Sequence, residues 1–563
     1  MLDQVHDECG IAAVYRLDSA INSEEELYEG SVTRLVPDML IDLQNRGQLA
    51  AGLTRFDESA AQLIDTYKEV GSVTDVFHLT HPDPGKFRAI VDKYSGRAAI
   101  GHTRYATCGK EGREYAQPFE RHHGRKWKWF AFCFNGNIAN YVEVRKKLLE
   151  QDKGDYHLAH DTDTELFMHH LAYANKGDEK PDFVEVFRHL AETVDGAYSL
   201  AFLNADGDLI LARDPLGVRP LVYGFRGNLF GAASESLALA NKGFEDLHDL
   251  EPGHLIHVRP EGYEIKQFAT SSRKAHCFFE WVYFANVASE LNGRSVYLAR
   301  NRLGEALADA EPLEADPEDS IAVPVPDTAK AACDAMAHRL GIPTKEGLIR
   351  NRYVGRTFIE GKNRKARVQR KYTVLPEVVR GKRVFLVEDS IVRSTTLRVI
   401  VKMLKKYGGA KEVHVRVACP PIMAPCSYGI DMSTVSELIA PQFFKEPVKG
   451  DLAATGLDAL AGDLGADTLR YLTVEELNGA LGLSECELCE GCLTGEYPTE
   501  WGQKLYKEAL LSRDCPSEGR TYEKLSLGEE DKAPGEEDEE RAGPEGSAQE
   551  LPLGATTPEG GGS

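Results

Sequence analysis

The sequence lacks several features that would place it in a class of protein at once. It has no run of eighteen apolar residues, which argues against a membrane-spanning helix. The first eight residues, MLDQVHDE, carry three acids and neither Lys nor Arg, so no secretory signal or transit peptide is expected. Eleven cysteines among 563 residues are too few for a disulfide scaffold. These absences favour a cytoplasmic protein in a reducing compartment.

Basic residues are also scarce, since 66 Lys and Arg face 89 Asp and Glu and the net charge is −23. Such a balance argues against nucleic-acid binding through a broad basic face. Part of the acidic excess lies after about Gly528, where the chain is rich in Gly and Pro and has no aromatic residue. That composition predicts a disordered tail, because too little apolar surface is available to offset the entropy of ordering. An acidic interaction tail is the alternative.

The length and the pattern of the chain indicate more than one domain. With 563 residues, 42% of them hydrophobic, two to four domains are expected. The first ~270 residues alternate β-rich runs with polar turns and contain helical stretches around Tyr141–Gln151 and Asp163–Asn175, which predicts an α+β domain with antiparallel sheets. From about Glu280, helix-like runs alternate with buried strands such as SIAVPVP and KRVFLVEDS. This alternation predicts a parallel α/β sheet, with a boundary near residue 272.

The segment Lys382–Pro420 carries the clearest local signal of the C-terminal half. KRVFLV predicts a buried strand that ends in Glu388 and Asp389, and EVHVRVA predicts the next strand. Between them a helix is predicted from apolar residues at i, i+3, i+4 and i+7, with Gly408–Gly409 as its end: Leu397, Ile400, Val401 and Leu404. In a parallel sheet, ligands bind beyond the carboxyl ends of the strands, where this loop lies.

The residue types in this loop suit a phosphorylated ligand. Ser394, Thr395 and Thr396 stand at the predicted helix N-terminus, where hydroxyl and free backbone N–H groups hold phosphate. Glu388 and Asp389 offer hard oxygens for a divalent metal or for ribose hydroxyls. The nucleotide-binding pattern Gly-x-x-x-x-Gly-Lys-Ser/Thr is absent. An acidic strand end followed by an ordinary helix cap is the alternative.

Three segments of the C-terminal half resemble known phosphoribosyltransferases. VEDSIVRSTT closely resembles the phosphoribosyl pyrophosphate (PRPP) signature of the type I enzymes. GLIRNRYVGRTFIE (Gly347–Glu360) and VPVPDTAKAA (Val323–Ala332) are similar to segments of one family, the glutamine PRPP amidotransferases. The resemblance implies Mg²⁺ binding by one set of residues, Thr328, Glu388 and Asp389. It also implies PRPP binding by a second set, Ser390, Ser394, Thr395 and Thr396, with Arg352 and Arg356 closing over the pyrophosphate.

The same segments depart from the family pattern at three positions. Glu388 stands where the family usually has Asp, and Ser394 stands where it usually has Gly. Pro376, in KYTVLPE, occupies a position that is commonly basic. These departures leave open a divergent paralogue that aminates a different phosphoribosyl or sugar acceptor.

The N-terminal half opens on Cys9, at the start of the run CGIAAVY. A lone cysteine beside an apolar strand is more often a small buried hydrophobe than a nucleophile. The segments that follow Cys9 change that expectation, because eight motifs resemble class II glutamine amidotransferase elements in their usual order. They are QNRGQLAAG, GHTRYATCG, QPF, FNGNIAN, DTDTE, GAYSL, RDPLGVRPL and ASES.

The resemblance implies a role for each glutaminase residue. An N-terminal cysteine supplies a thiol nucleophile and an α-amino base of pKa ~7.7–8.0, which requires removal of residues 1–8 as a propeptide. Asn135 and the backbone N–H of Gly136 are expected to form the oxyanion hole, although Asn-Gly is also a favoured hairpin turn. Arg104 and Asp163 are expected to pair with the α-carboxylate and α-ammonium of glutamine, with an ordinary salt bridge as the alternative. Arg46 resembles a family position near the nucleophile.

Three cysteines crowd into CELCEGCLTGEYPTEWG, at Cys486, Cys489 and Cys492. Their spacing indicates metal binding, and thiolates suit structural zinc or an iron–sulfur cluster. Some PRPP amidotransferases carry a 4Fe–4S cluster, and the resemblance implies one here, with Cys486 outside it, held by Cys277, Cys426, Cys489 and Cys492. Five cysteines are expected to be structural or incidental: Cys108, Cys133, Cys333, Cys419 and Cys515.

The resemblance implies an organisation and a reaction for the whole chain. The predicted parts are a propeptide (1–8), a class II glutamine amidotransferase domain (9–272), a phosphoribosyltransferase domain (273–480), a cysteine-rich segment (481–512) and the tail (513–563). Glutamine, PRPP and water are expected to give 5-phosphoribosylamine, glutamate and pyrophosphate, the first committed step of purine synthesis, in a homotetramer without nucleic-acid or membrane partners. Besides the divergent paralogue, a catalytically dead sensor of PRPP or glutamine is the alternative.

Overall fold

The structure is a computed structural model that describes residues 9–21, 27–105, 112–151, 158–160, 162–351, 371–430, 432 and 434–511. Several predictions lie outside these residues. They are the propeptide, Cys108, Arg352, Arg356, Cys515 and the tail. Within the described part of the chain, no helix combines the length and the apolar character needed to cross a membrane.

The N-terminal half contains two antiparallel sheets, as the strand-rich pattern predicts. In the first sheet the strand order is β11-β9-β10-β1-β4-β2-β3, and in the second it is β13-β12-β8-β7-β6-β5. The bounds are β1 Gly10–Arg16, β2 Ala50–Phe56, β3 Ile64–Val70, β4 Ala98–Arg104, β5 Phe119–Arg121, β6 Phe130–Ile138, β7 Gly196–Asn204, β8 Leu209–Arg213, β9 Val222–Arg226, β10 Leu229–Ala233, β11 Glu245–Asp249, β12 His254–Arg259 and β13 Gly262–Gln267.

The two sheets pack face to face, and helices cover their outer faces. Inward-facing residues such as Ile11, Ala13 and Cys133 form the core between the sheets. A separate core lies between the second sheet and α4, α5 and α6, and another lies between the first sheet and its helices, which include α1 and α7. The helices are α1 Leu35–Asp42, α2 Val73–Val76, α3 Gly85–Lys93, α4 Tyr141–Gln151, α5 Asp163–Ala174, α6 Phe183–Thr193 and α7 Ser236–Ala240.

The sequence pattern found two of these helices and missed others. The two predicted stretches are α4 and α5. Helix α6 was missed although its signal is present: Asp182 caps it through the N–H of Val184, and its buried residues follow a spacing of i, i+3, i+4 and i+7. That buried stripe consists of Phe183, Val186, Phe187 and Leu190.

The C-terminal half contains the predicted parallel sheet, with strand order β17-β20-β21-β22. Val323 pairs with Leu386, and Leu386 pairs with Val415, which fixes the register of the three predicted strands. The strands are β14 His276–Cys277, β15 Glu290–Leu291, β16 Arg294–Ser295, β17 Ser320–Pro324, β18 Leu348–Arg350, β19 Tyr372–Val374, β20 Arg383–Glu388, β21 Glu412–Val417, β22 Thr468–Tyr471 and β23 Leu488–Cys489. The helices are α8 Val296–Asp309, α9 Lys330–Leu340, α10 Pro376–Val379, α11 Thr395–Lys402, α12 Ala454–Leu464, α13 Val474–Leu481, α14 Gly491–Thr494 and α15 Glu500–Leu511.

The C-terminal segment joins the two halves. Strand β23 pairs with β14 in parallel, and the N–H of Trp501, in the first turn of α15, donates to Asp195 Oδ2 at 3.1 Å. Asp195 directly precedes β7 of the N-terminal half. One hydrophobic core accordingly contains residues of both halves, among them Ala197 and Leu488.

Candidate active sites and cysteine cluster

Cys9 stands directly before β1, on the face that also carries Ile11 and Ala13, so its side chain is directed between the two sheets. Its Sγ lies 3.8 Å from the carbonyl oxygen of Tyr105. Burial raises the pKa of the Cys9 thiol to about 11, a rise that the backbone of Tyr105 and the charge of Arg104 partly oppose. The thiol is therefore neutral near pH 7 and requires a base to act as a nucleophile.

Asn135 and Gly136 lie inside strand β6, paired with Ser199 and Tyr198 of β7. The alternative of an Asn-Gly hairpin turn is therefore wrong. Asn135 is buried, and its Nδ2 has no hydrogen-bond partner among the described atoms. A buried N–H without a partner is costly, and a developing oxyanion would satisfy it. Gly136 must lack a side chain, because a Cβ would stand 1.8 Å from the carbonyl oxygen of Ala197.

Arg104 and Asp163 lie at the same end of the site as Cys9. Arg104 is the last residue of β4, and Asp163 is the first residue of α5. The charges of both residues act on the Cys9 thiol, with opposite signs. Both side chains are buried, and Arg104 packs over the ring of Tyr115 with 5.7 Å to its centroid. A buried cation and a buried anion near Cys9 suit the two charged ends of an amino acid.

Arg46 contacts two carboxylates that the sequence analysis did not assign to the site. It forms ion pairs of 2.6 Å with Glu235 and with Glu280, and all three side chains are buried. Glu235 belongs to the motif ASES, and Glu280 follows Cys277 in HCFFEWVYF. The charge of Arg46 also acts to lower the pKa of Cys9, so Arg46 lies near Cys9. Its contacts link that neighbourhood to the segment after Cys277.

The second site lies at the carboxyl ends of β17 and β20. Strand β20 ends at Glu388 and is followed by Asp389 and Ser390. The hydroxyl of Ser390 donates a hydrogen bond to Asp389 Oδ1 at 2.7 Å. The hydroxyl of Thr328, which follows β17, donates to Asp389 Oδ2. Burial raises the pKa of both carboxyls, and the adjacent Asp389 adds to the rise at Glu388. A divalent cation would offset this unfavourable proximity of two carboxylates.

The predicted phosphate loop leads into α11, with Ser394 as its N-cap and Thr395 and Thr396 in its first turn. The Ser394 side chain forms no capping hydrogen bond, so the N-terminal N–H groups do not use its hydroxyl. Pro376, one of the departures from the family pattern, is the first residue of α10, a position that favours proline. Strands β18 and β19 flank the segment that carries Arg352 and Arg356.

The cysteines predicted to bind the cluster lie close together. Cys277 and Cys489 are paired in the ladder between β14 and β23. The carbonyl oxygen of Cys492 accepts from the N–H of Met423 at 2.8 Å, in the segment that leads to Cys426. Burial raises the pKa of the Cys489 thiol to about 12, and it also raises the pKa of Cys492. In both cases the neighbouring cysteines, Cys426 among them, add to the rise.

The spacing of these thiols matters for the identity of a metal. Across residues 9–511, as far as they are described, no three His, Cys, Asp or Glu side chains are grouped tightly enough to be a candidate site for a metal ion. Ligands at 2.3 Å around one Zn²⁺ would stand about 3.8 Å apart. Within the described residues, the four cysteines therefore do not form a compact metal site of that kind. Cys486 is exposed, whereas Cys277, Cys489 and Cys492 are buried.

Comparisons with known proteins cover both halves of the chain. A glutamine amidotransferase domain model matches residues 78–252. The amidophosphoribosyltransferase of Methanothermobacter thermautotrophicus is 37% identical over 88% of this chain and 95% of its own. That of Mus musculus is 34% identical over 88% of this chain and 98% of its own. The structure of the Bacillus subtilis glutamine PRPP amidotransferase, complexed with ADP and GMP, superposes with a TM-score of 0.73 at 33% identity, over 90% of this chain and 100% of its own.

A second solved structure, described as the allosteric regulatory enzyme of purine biosynthesis, gives a TM-score of 0.74 at 33% identity, over 90% of this chain and 98% of that one. The fold is therefore that of a class II glutamine amidotransferase domain followed by a parallel sheet of the phosphoribosyltransferase type. The chain belongs to the amidophosphoribosyltransferase family, and its activity is that of EC 2.4.2.14.

Proposed function

We propose that Cys9 attacks the side-chain amide of glutamine and that the released ammonia displaces pyrophosphate from PRPP. The supporting observations are that the charges of Arg104 and Asp163 act on the Cys9 thiol and that Cys9 also acts on Cys133 of β6. Asn135 lies two residues beyond Cys133 on the same face of that strand, and its Nδ2 has no partner among the described residues. The carbonyl oxygen of the substrate becomes an anion as the thiol adds, and it receives hydrogen bonds from Asn135 Nδ2 and the Gly136 N–H. Arg104 and Asp163 bind the α-carboxylate and the α-ammonium.

The proton of the Cys9 thiol requires an acceptor, because its pKa of about 11 keeps it protonated near pH 7. The α-amino group of Cys9 is the proposed base, with an ordinary pKa near working pH. It exists only after the peptide bond between Glu8 and Cys9 has been cleaved. Residues 1–8 are accordingly proposed to be a propeptide that is removed before glutamine is hydrolysed.

At the second site, Thr328, Glu388 and Asp389 provide a hydroxyl and two carboxylates that fit Mg²⁺. A bound Mg²⁺ would offset the negative charge of the pyrophosphate and make it a better leaving group. Ser390 is held through Asp389, while Thr395 and Thr396 offer backbone N–H groups of α11 to the 5-phosphate. Displacement of pyrophosphate by ammonia gives 5-phosphoribosylamine, the first committed step of purine synthesis.

The two halves meet directly at the glutamine site. Asn137 Nδ2, two residues beyond Asn135, donates to the carbonyl oxygen of Ser427 at 3.0 Å, and Arg219 donates to the carbonyl oxygen of Tyr428. Ammonia is mostly ammonium in water near pH 7, and an internal path keeps it reactive. The close packing of residues 427–429 against β6 supports transfer within the protein.

A steady-state assay of the mature protein with a panel of acceptors tests the proposed acceptor. PRPP is expected to support glutamine-dependent pyrophosphate release with the highest kcat/KM. A higher kcat/KM with another phosphoribosyl compound or sugar phosphate would contradict the PRPP assignment and favour the divergent paralogue. Absence of turnover with every acceptor, and of glutamine hydrolysis, would favour a sensor.

We further propose a 4Fe–4S cluster held by Cys277, Cys426, Cys489 and Cys492. Burial raises the pKa of the Cys277, Cys489 and Cys492 thiols, and neighbouring cysteines add to the rise, so a cationic iron–sulfur core would stabilise their thiolates. When bound, the cluster crosslinks β14, β23 and the segment around Cys426.

A matched pair of variants tests the ligand set. Cys489→Ser is expected to lose the broad visible absorption of anaerobically purified protein and to lower its Tm. Cys486→Ser, whose side chain is exposed in the same segment, is expected to keep both. Colourless wild-type protein with about one tightly bound Zn²⁺ per chain would refute the cluster. Loss of colour in the Cys486 variant alone would refute the ligand choice.

Intact-mass analysis of native protein under nitrogen examines processing and cluster content together. We expect a mass that lacks residues 1–8 and includes four iron and four sulfide ions. A full-length mass in protein with glutaminase activity would contradict the propeptide. A homotetrameric assembly and a cytoplasmic location remain predictions.

A further inference from the structure

Gln117, from the motif QPF, lies between the two ends of the proposed glutamine site. Its side chain is buried, with 4% exposure, and both ends of its amide have partners. Oε1 accepts from the backbone N–H of Phe134 at 2.9 Å, and Nε2 donates to Thr164 Oγ1 over a longer distance of 3.4 Å. Phe134 precedes Asn135 in β6, and Thr164 follows Asp163 in α5.

The hydrogen bond between Phe134 and Gln117 takes the place of a backbone hydrogen bond that the ladder between β5 and β6 lacks at this position. The ladder between β5 and β6 ends at the pair Phe119 and Phe132. The residue before Phe119 is Pro118, which has no N–H to continue the ladder. The buried N–H of Phe134 requires an acceptor, and the Gln117 side chain supplies it. Because N–H directions alternate along a strand, the Gly136 N–H points toward the same edge, beyond the end of β5.

The contact to Thr164 acts on the other end of the site. The backbone N–H of Thr164 donates to Asp163 Oδ1 at 2.8 Å, and its hydroxyl lies 3.4 Å from the same oxygen. Thr164 therefore orients the carboxylate of Asp163. The rings of Phe134 and Phe167, whose centroids are 4.8 Å apart, also pack β6 against α5. The Gln117 amide adds a directional constraint between the strand and the helix, because a hydrogen bond depends on angle as well as distance.

We infer that Gln117 is a positioning residue that sets the separation between the oxyanion hole and the group that binds the α-ammonium of glutamine. The inference rests on the proposed function of Cys9, Asn135 and Asp163. Glutamine is flexible, and its reactive carbonyl reaches both Cys9 and the oxyanion hole only if its far end is held at a matching distance. A shift of about 1 Å between such groups costs on the order of 100-fold in rate.

Two variants break this link from its two ends. Gln117→Met keeps the length and the volume of the side chain and removes both hydrogen bonds. We expect it to lower kcat/KM for glutamine by about 10- to 100-fold, with a fall in kcat because the oxyanion hole is displaced. Thr164→Val removes only the hydroxyl, so a several-fold rise in KM for glutamine is expected with a smaller change in kcat. Thr164→Ser, which restores a hydroxyl, is expected to recover most of that loss.

Controls separate positioning from a general structural effect. Gln267→Met, at an exposed position of β13, is expected to match wild type. In both Gln117→Met and Thr164→Val, ammonia-dependent synthesis and KM for PRPP are expected to be unchanged. Alkylation of Cys9 by an electrophilic glutamine analogue is expected to slow by at least about 10-fold in Gln117→Met, whereas alkylation by iodoacetamide keeps its rate.

Two results would overturn the inference. One is a Gln117→Met protein with wild-type kcat, KM and analogue labelling. The other is a parallel loss of ammonia-dependent activity in Thr164→Val, which would indicate a structural role. If Gln117→Met does not fold, Thr164→Val alone decides through its KM for glutamine. Failure of the proposed function would be distinct, because wild-type protein would then show no labelling of Cys9 by the glutamine analogue.

Discussion

The two active sites of this chain are built in different ways. The proposed glutamine site is formed by strands and a helix N-terminus, with Cys9 and Arg104 at the ends of neighbouring strands and Asn135 within a third. The proposed PRPP site lies at the ends of parallel strands, where the hydroxyls of Thr328 and Ser390 donate to Asp389. Among the described residues, the first site holds a buried amide donor without a partner, whereas the carboxylate of the second accepts hydrogen bonds from its neighbours.

The difference follows from the chemistry of the two substrates. The amide of glutamine is neutral, and charge develops on it only in the transition state, so the protein must place donors in advance. PRPP carries several negative charges and binds with a divalent cation, so much of the charge at that site arrives with the substrate. A rigid arrangement of strands suits the first task, and a loop at a sheet edge suits the second.

The largest expected effect separates the two sites completely. Cys9→Ser is expected to lower glutamine-dependent synthesis by at least about 10³-fold, because the thiolate nucleophile is lost. Ammonia-dependent synthesis is expected to persist, since the PRPP site is untouched. Parallel assays with glutamine and with ammonium chloride measure both. If both activities disappear in a folded variant, the separation of the sites is wrong.

Removal of the Asn135 side-chain amide measures how much a hydrogen-bond donor placed in advance contributes to the rate of glutamine hydrolysis. Asn135→Ala is expected to lower kcat for glutamine hydrolysis by about 10²- to 10³-fold, as for other oxyanion-hole donors. KM for glutamine is expected to change little, because the substrate carbonyl carries no full charge before attack. Steady-state kinetics of protein whose N-terminal residue is Cys9 measure both kcat and KM for glutamine. An equal rise in KM with unchanged kcat would mean that Asn135 only binds substrate.

At the second site, Asp389→Asn is expected to impair PRPP use by roughly 100-fold, equivalent to about 3 kcal/mol of charge stabilisation. Glutamine hydrolysis without PRPP is expected to remain near wild type. Asp458→Asn, at an exposed position of α12, provides the matched control. PRPP kinetics measured over a range of Mg²⁺ concentrations test the assignment, and unchanged kinetics would refute it.

The smallest effect concerns stability in acid. Burial lowers the pKa of His102 to about 3 and that of His170 to about 4, both in the N-terminal half. Because the unfolded chain takes up these protons near pH 6.5, stability is complete above that pH and falls as the pH drops through it. As the pH falls from 7 to 5, protonation of each histidine in the unfolded chain is expected to lower the free energy of unfolding by about 2 kcal/mol.

Urea denaturation of wild-type protein and of His170→Gln at both pH values measures that contribution. The variant is expected to lose about 2 kcal/mol less than wild type between pH 7 and pH 5. If the variant and wild type lose the same free energy of unfolding between pH 7 and pH 5, His170 is protonated, or accessible to water, in the folded protein. The result also shows whether the N-terminal half limits stability in acid.

Local patterns were sufficient for most of the fold. The strands of SIAVPVP, KRVFLV and EVHVRVA and the helices α4, α5 and α11 follow from local residue pattern. Helix α11 continues as a π-helix over Met403–Gly408 and ends at Gly409, whose φ is +74°. The Asn135–Gly136 pair shows where local pattern is insufficient, because its turn preference yields to pairing with β7 along the whole of β6. Arg46 shows the same limit, since its partner Glu280 is more than two hundred residues away.

The sequence alone determined the two-domain plan, the family and the candidate residues, because each depends on residue types and spacings that lie within short segments. The tertiary structure decided which of these residues meet. It brought Cys9 beside Arg104 and Asp163, paired Cys277 with Cys489, and placed Gln117 between Phe134 and Thr164. Such contacts depend on sheet register and on the packing of distant segments. A shift of one residue in the register of a strand would turn each of its side chains to the other face of the sheet.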